Sequence, residues 1–226
     1  MKKILLLSAI TIFAISNFSF TGTDFEGKIV FDIDFNSPNM PDEAKAMMAG
    51  SELTIYIKGS KTRSDIEMPM QNSTTISDSK TKTSVRLVEA GGNKYKIKNE
   101  EPAADKKTPD ATIKYLDETK EIAGYKCKKA EITFKDKAGE SHTTAVYYTE
   151  EISNQMGSDN RSSQFKDLKG MPLEYEIYNE RGSMKMTATS VSKEKVPDSK
   201  FEIPSGYKEP TLEEMQKEMM KMYQQH

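Results

Sequence analysis

The sequence predicts a mainly β protein built on one strongly curved antiparallel sheet, a half-barrel with short helices on its concave face. Roughly ten short runs alternate apolar and polar residues one for one, and the first of them spans Lys28 to Phe35. A period of two gives a strand one solvated face and one buried face. Turn-forming residues such as Gly91 and Gly92 separate the runs, and segments with helical periodicity are few and short.

The alternation recurs along most of the chain and defines the predicted strands in order. Its apolar positions are Ile29/Phe31/Ile33/Phe35, Leu53/Ile55/Ile57, Ile66/Met68, Val85/Leu87, Tyr95/Ile97, Ile113/Tyr115, Ile132/Phe134, Val146/Tyr148, Leu173/Tyr175/Ile177 and Met184/Met186/Ala188. The last two runs are joined by the turn-like residues 180–182, so we predict a hairpin there. An apolar face of this size needs a cover or a ligand.

Three segments are predicted to supply the cover. A helix over 41–49 begins at Pro41 with acidic residues in its first turn, and it ends before Gly50. The segment 151–170 loses the alternation, and four of its residues predict one or two helical turns over the sheet: Ile152, Met156, Phe165 and Leu168. From Thr211 onward, helical spacing predicts an amphipathic C-terminal helix with Leu212, Met215, Met219 and Met222 on one face.

One predicted strand changes the parity of its alternation partway. Cys127 occupies one phase, whereas Ala130 and Ile132 occupy the other. Because a continuous strand would turn one of these sets outward, the sequence predicts a β-bulge near Lys128 and Lys129.

The N-terminal residues predict export. Residues 1–20 combine a basic start with an apolar stretch, which is typical of a secretory signal peptide, and we place the cleavage between Ser19 and Thr23. An uncleaved N-terminus, either amphipathic or membrane-inserted, is the alternative. No cysteine lies near the end of the apolar stretch, so we expect a periplasmic or secreted protein that is not a lipoprotein and has no transmembrane span after cleavage. The predicted organisation is a signal peptide over 1–20, a curved β-sheet domain over 24–208 and a helical tail over 209–226.

Composition and motifs argue against several classes of function. The 226 residues carry a net charge of −2 with lysines and acids interspersed, which argues against a nucleic-acid partner. The single cysteine, Cys127, cannot form an internal disulfide; its flanking lysines favour a reactive thiolate, but its strand position favours an inert core side chain. The common nucleophile, zinc and phosphate-loop motifs are missing from the sequence, so we predict no enzyme activity, no catalytic residues, no metal and no cofactor.

Two stretches of the chain carry a family resemblance. They are Gly124-Tyr125-Lys126-Cys127-Lys128-Lys129-Ala130, with residues 117–123 before it, and the closing Phe201-x-Ile203-Pro204-x-Gly206-Tyr207. In these stretches the chain resembles a family of exported Bacteroidota proteins, domain of unknown function 4412. Its members are distantly similar to the periplasmic lipoprotein carrier and its outer-membrane receptor (LolA/LolB-like). The resemblance implies a hydrophobic cavity and transport of lipid or acylated protein, and it supplies no site residues.

Parity selects inward-facing residues as candidates but does not separate core from cavity lining. The ligand-binding candidates are Phe31, Phe35, Ile55, Ile57, Leu87, Phe134, Tyr148, Tyr175, Ile177 and Met186. Methionines on the covering segments are lid candidates, because a flexible, polarizable side chain adapts to varied apolar partners. They are Met47, Met48, Met215, Met219 and Met222.

Three functions from different classes follow from these patterns. The first is a non-enzymatic periplasmic protein that binds a lipid, an acyl chain or another apolar ligand in the concavity of the sheet. The second is an envelope interaction module with a filled core, whose sheet edge or amphipathic tail docks a protein partner. The third is a Cu(I)-binding protein, because pairs such as Met184 and Met186 offer thioether ligands, although apolar packing explains the same methionines.

Overall fold

The computed structural model describes residues 25–36, 40–69, 71–98, 111–135, 139–156, 163–179 and 182–211. Its strands are β1 (Gly27–Asn36), β2 (Glu52–Lys58), β3 (Lys61–Met68), β4 (Gln71–Asp78), β5 (Thr83–Ala90), β6 (Asn93–Lys98), β7 (Thr112–Ile122), β8 (Tyr125–Lys135), β9 (Ser141–Thr149), β10 (Met171–Asn179) and β11 (Gly182–Lys193). Helix α1 (Asp42–Met48) and the 3-10 turns η1 (Ser163–Phe165) and η2 (Asp198–Phe201) complete the described elements.

All of these strands form one 11-stranded sheet in the order β6-β5-β4-β3-β2-β1-β11-β10-β9-β8-β7. Strands that follow one another in sequence pair along each half, with α1 between β1 and β2 and residues 150–170 between β9 and β10, and antiparallel pairing of β1 with β11 joins the halves. Strands β6 and β7 are therefore the two edges. The mainly β, antiparallel architecture predicted from the alternation is confirmed.

The half of the sheet from β11 to β7 is strongly curled. Strand β7 lies four positions from β11, which would separate them by about 19 Å in a flat sheet. Cα atoms of the two strands nevertheless approach within 8 Å. Lys120 Nζ on β7 also reaches the carboxylate of Glu174 on β10 at 2.6 Å. Both contacts require a bend across the intervening strands.

A bulge lies opposite the predicted position in β8, but its extra residues belong to the neighbouring strand β7. The β7–β8 ladder shifts between Tyr115 and Thr119, where residues 116–118 of β7 lie opposite Lys129 alone. The β8–β9 ladder is continuous through this point. The prediction of a bulge within β8 near Lys128 and Lys129 is therefore wrong. The extra residues lie on β7, the edge strand, which is free to bend on its unpaired side, while Cys127 and Ala130 of β8 are both buried in the core cluster although they occupy opposite phases.

The hydrophobic core lies on one face of the sheet, which we call the inner face. On β1, Ile29 and Phe31 point to this face and are fully buried. Two described stretches, 152–156 and 163–168, which we together call the plug, cover it with the buried side chains of Ile152, Phe165 and Leu168. The predicted cover over 151–170 is thus confirmed, although its described helical content is limited to η1.

Helix α1 does not cover the core, contrary to the prediction for 41–49. It buries none of its residues, and Met47 is 61% exposed. Neither Met47 nor Met48 packs against the core cluster. A helix of 7 residues that opens with two acids has too little apolar surface to displace the plug. Among the described residues, no helix is long and apolar enough to cross a membrane.

Two further predicted segments lie outside the described residues. They are the signal peptide over 1–20 and most of the C-terminal helix, including the lid candidates Met215, Met219 and Met222.

A C-terminal strap, residues 196–209, crosses the opposite, outer face and reaches the edge of the sheet. Nη1 of Arg63 donates to the carbonyl of Lys200 at 3.0 Å. At the far end, the Lys208 amide donates to the carbonyl of Lys94 at 3.1 Å, and the Lys96 amide donates to the carbonyl of Lys208 at 2.8 Å. These bonds occupy part of the free edge of β6, which otherwise offers a template for pairing with another chain.

Leu87 belongs to this outer face, so its assignment by parity to the inner face, where Ile55 lies, is wrong. Leu87 pairs with Thr74 and Lys96, whereas its neighbour Val88 continues the inner-face register. Leu87 is 1% exposed but is not part of the main core cluster. The alternation in β5 indicates only that one of its two faces is buried. In the structure, the buried apolar face is the outer one, which carries Leu87 and which the strap crosses.

We predict that acid releases the strap. A hydrogen bond from Lys58 lowers the pKa of Asp198, and hydrogen bonds from Tyr207 and then Lys94 lower the pKa of Glu89. Because both pKa values are lower in the folded than in the unfolded chain, this stabilisation is complete above the ordinary values and is lost as pH falls below about 4.

Hydrogen exchange of residues 198–208, corrected for the intrinsic rate, measures this release between neutral and acid pH. Protection should fall in the wild type. The double variant Glu89→Gln/Asp198→Asn is the control and should show little pH dependence. Equal protection of the wild-type strap across the whole range would contradict the prediction.

Candidate functional site

The inner face is closed by its own side chains over most of its length. Ile33, Met186 and Tyr175 lie side by side on β1, β11 and β10, and they are 6%, 2% and 1% exposed. The Tyr175 ring meets the ring of Phe31 edge-on with centroids 5.8 Å apart, and it meets Phe165 of the plug at 5.1 Å. This part of the face is packed core.

One row further along the strands, the inner face opens. Four residues here form what we call the apolar rim: Phe35 on β1, Met184 on β11 and Ile177 on β10, which pair in one row, and Phe134 on β8. All four are only partly buried against the core. Phe134 contacts His142 with ring centroids 5.8 Å apart, and His142 stacks on Tyr178 at 5.6 Å. These ring contacts place Phe134 at the same end of the sheet as Ile177.

Helix α1 lies at the end of the sheet that carries the rim. It follows β1, which ends one residue after Phe35. Its C-terminal end is tied to the sheet because the Ser51 amide donates to the Met48 carbonyl at 3.3 Å and the Ile33 amide donates to the Ser51 carbonyl at 3.1 Å. The exposed side chain of Met47 is therefore close in sequence to the open end of the inner face, although it does not pack on the core.

The structure divides the sequence-predicted ligand-binding candidates into three groups. The buried core contains Phe31, Ile55, Ile57, Tyr148, Tyr175 and Met186. The partly buried rim contains Phe35, Phe134 and Ile177. Leu87 lies on the outer face, as described above. Sequence reasoning left Met184 out of the candidates, although it shares the alternating run of Met186.

The inner face changes character on β3, β4 and β5. The residues there that we call the hydroxyl patch are Thr62, Ser64, Ser73, Thr75, Ser77 and Ser84. Ser73, Thr75 and Ser77 are 3%, 5% and 6% exposed. Arg86 lies opposite Thr75 on the same face, and its Nε donates to Ser73 Oγ at 3.2 Å. Sequence reasoning missed this patch, although hydroxyl residues at every second position of β4 were a visible signal.

The outer face beside the β7 bulge carries a network of paired charges. Nζ of Lys129 lies 2.8 Å from Glu118, whose carboxylate also accepts a hydrogen bond from the Tyr147 hydroxyl. These bonds, the one from Lys129 first, lower the pKa of Glu118. Lys120 and Lys129 lie over the Tyr147 ring at 5.3 and 5.7 Å, and Lys120 also pairs with Glu174. Each of these charges has an opposite partner, which is the arrangement of a structural network.

Cys127 is a buried side chain of the core cluster. It is 0% exposed, and burial raises the pKa of its thiol to about 11. Its flanking lysines serve other partners, since Lys128 pairs with Glu150 at 2.7 Å and Lys129 with Glu118. A protonated, inaccessible thiol is a poor nucleophile at neutral pH, so this geometry favours a structural role.

The fold and the site define a class: mainly β proteins with one large antiparallel sheet, a plugged inner face and an apolar rim at one end. Within that class the chain belongs to the family described as Domain of unknown function (DUF4412), which residues 39–207 match. No curated protein matches the chain. Among solved structures it is similar to one described as the crystal structure of MucB, with 11% identity and a TM-score of 0.37. That similarity covers 82% of this chain and 60% of the other, so this chain spans less than two thirds of the length of MucB.

Proposed function

We propose that this protein is exported to the periplasm and binds a lipid, an acyl chain or another apolar ligand without catalysing a reaction. The observation that carries the proposal is the change in exposure along the inner face. Ile33 is 6% exposed, whereas Phe35 and its paired neighbour Met184 are only partly buried. An apolar surface that continues the core and remains accessible at one end gains free energy when an apolar ligand covers it.

The rim is large enough for a measurable affinity. Each rim side chain is less than about four tenths exposed, so completing its burial contributes at most about 0.5–1 kcal/mol, since full burial from water contributes roughly 1.5–3 kcal/mol. Phe35, Met184, Ile177 and Phe134 together therefore contribute several kcal/mol before the ligand's own apolar surface is counted. Met184 adds an adaptable thioether side chain at the centre of the row.

A titration with the uncharged fluorophore N-phenyl-1-naphthylamine tests this proposal on full-length protein purified without detergent. We expect saturable binding that weakens about tenfold in Met184→Asn and in Ile177→Asn, which corresponds to roughly 1.4 kcal/mol. The matched control is Asp34→Asn, because Asp34 is exposed and lies next to Phe35 on the outer side of β1. Absence of wild-type binding, or equal affinity in all variants, would overturn the proposal.

A second candidate is an envelope interaction module with a filled core. The dense packing of Tyr175 between Phe31 and Phe165 favours it, because this part of the inner face leaves no room for a ligand. In that case the rim is the surface that contacts a protein partner. The titration separates the two functions, since a flat protein-binding surface should not bind the fluorophore saturably.

A further inference from the structure

The strap joins the edge of β6 as a short added strand. Lys208 forms a parallel bridge with Tyr95, and its amide and carbonyl bond to Lys94 and Lys96. Every second residue of such a ladder bonds to the same neighbour, so the next amide to pair with β6 would be that of residue 210. Residue 210 is a proline and has no N–H to donate. The added strand therefore ends at Pro210, and the chain leaves the sheet part-way along β6.

Side chains of the strap reach both faces of the sheet at this edge. Glu209 lies 3.2 Å from Nζ of Lys96, which belongs to the outer face because Lys96 pairs with Leu87. Nζ of Lys208 lies over the ring of Tyr95 at 5.2 Å, and Tyr95 belongs to the inner face. The strap has thus moved from the outer face to the edge itself, and the residues that follow can turn onto either face.

Apolar side chains lie on the inner face beside this exit. The residues that we call the β6-side patch are Ile66 on β3, Val88 on β5, and Tyr95 and Ile97 on β6. All four are only partly buried, and within the described part of the chain only Ile66 packs against the core cluster. The outer side of β5 is instead the side that the strap crosses, where Leu87 is buried. The patch is therefore an apolar surface beside the exit that the strap does not cross.

The chain beyond the described residues supplies a segment of suitable length and pattern. We call residues 212–226 the tail, and its sequence predicts a helix with Leu212, Met215, Met219 and Met222 on one face. A helix of these 15 residues is about 22 Å long. The three strand spacings from β6 to β3 add to about 14 Å. A helix that begins at the β6 edge is therefore long enough to span the patch.

Two further properties favour the tail over a separate partner. Only three residues lie between Lys208, which is fixed on β6, and the start of the tail. Such a short connection holds the tail at an effective concentration on the order of millimolar at the patch. Its methionine side chains also adapt to an uneven surface of branched and aromatic residues.

We propose that the tail docks as an amphipathic helix on the β6-side patch of its own chain, with its methionine face toward Val88 and Tyr95. The tail then covers one half of the inner face, as the plug covers part of the other half. This docking goes beyond the proposed ligand binding and does not depend on it, because the patch shares no residue with the apolar rim.

Disulfide cross-linking of the full chain tests the docking. In a Cys127→Ala background, Val88→Cys/Met215→Cys places one thiol in the patch and one on the apolar face of the tail. Val85→Cys/Met215→Cys is the matched control, because Val85 is also a partly buried valine of β5 but lies on the outer face. We expect the inner pair to form an intramolecular disulfide at least about tenfold faster than the control pair, since docking raises the local concentration of the two thiols.

Hydrogen exchange of residues 212–222 gives a second measurement that needs no new cysteine. Met215→Asn/Met219→Asn should lower the protection of this segment about tenfold or more, because the apolar face of the helix loses its contact with the sheet. Lys217→Asn/Lys221→Asn is the control and should leave the protection unchanged. It introduces the same residue at the same spacing on the opposite face of the predicted helix.

Faster cross-linking at Val88, or loss of protection confined to the methionine variant, supports the docking. Equal cross-linking rates at the two valines, a faster rate at Val85, or exchange of the wild-type tail as fast as in an unstructured peptide overturns it. A disulfide that forms only between two chains also overturns it, because the patch then receives the tail of a second copy. Failure of N-phenyl-1-naphthylamine to bind the wild type overturns the proposed function alone.

Discussion

Replacing Phe165 with alanine is expected to lower the free energy of unfolding by about 3–5 kcal/mol, the usual cost of removing a buried aromatic ring. Phe165 is 0% exposed, and its ring meets Tyr175 edge-on at 5.1 Å. The plug cannot move inward to fill the gap, because Asn154 Nδ2 donates to the carbonyls of Phe165 and Leu168 at 2.7 and 3.1 Å and fixes the turn. The truncation should therefore leave a cavity above Tyr175.

Urea denaturation followed by circular dichroism measures this loss. Lys166→Ala is the matched control, because the next residue of the plug is exposed and its replacement should change the free energy of unfolding by less than about 0.5 kcal/mol. If Phe165→Ala were no more destabilising than the control, the plug would not contribute to the core. The stability of the core would then come from the sheet alone.

Replacing Gly27 with alanine is expected to destabilise the sheet by about 3 kcal/mol, at the upper end of the usual cost of overpacking. Gly27 is the first residue of β1 and pairs with Ile57 on one side and Lys193 on the other. A Cβ atom at this position would lie 2.1 Å from the Ser192 carbonyl oxygen and 2.9 Å from Cζ of Phe25. The first of these atoms is backbone, so relief of the clash requires β1 and β11 to separate at the seam that joins the two halves of the sheet.

Thermal unfolding monitored by circular dichroism reports this change. Lys28→Ala, at the adjacent half-buried position of β1, is the control for a substitution that does not approach β11. A Gly27→Ala melting temperature equal to that of the control would show that the seam yields without cost. The space between Gly27 and the Phe25 ring would then be larger than the 2.9 Å from the added Cβ atom to Phe25 Cζ indicates.

Local pattern accounts for the strands and for much of the cover. Alternation from Lys28 to Phe35, broken only by the apolar Val30, is enough to predict β1. The turn-like residues 180–182 are enough to predict the pairing of β10 with β11. The loss of alternation over 151–170 likewise predicts the plug, because Ile152, Phe165 and Leu168 have no strand to occupy and are apolar enough to be buried. These features depend on neighbours in sequence, which a single chain displays directly.

The same pattern does not reveal whether the apolar face of a strand lies under the plug or under the strap. Leu87 alternates as regularly as Ile55, yet the two lie on opposite faces because β5 has its apolar phase under the strap. The bulge sits in β7 instead of β8, because the edge strand can bend where an inner strand is held by ladders on both sides. Phe35 and Phe31 share one phase of β1, yet Phe31 is fully buried and Phe35 is only partly buried against the core.

The sequence by itself thus determined ten of the described strands, the antiparallel class of the sheet and most of the apolar side chains available for burial, whereas β4, whose inner positions carry hydroxyls, lies outside the predicted runs. Tertiary structure decided the division of that set into core, apolar rim and outer face, and it brought the hydroxyls of β4 next to Arg86. The physical reason is that a period of two residues separates the two faces of a strand without identifying which of them faces the core. Strand register, the plug and the strap join residues far apart in the chain, and only those long-range contacts distinguish one face and one end of the sheet from the other.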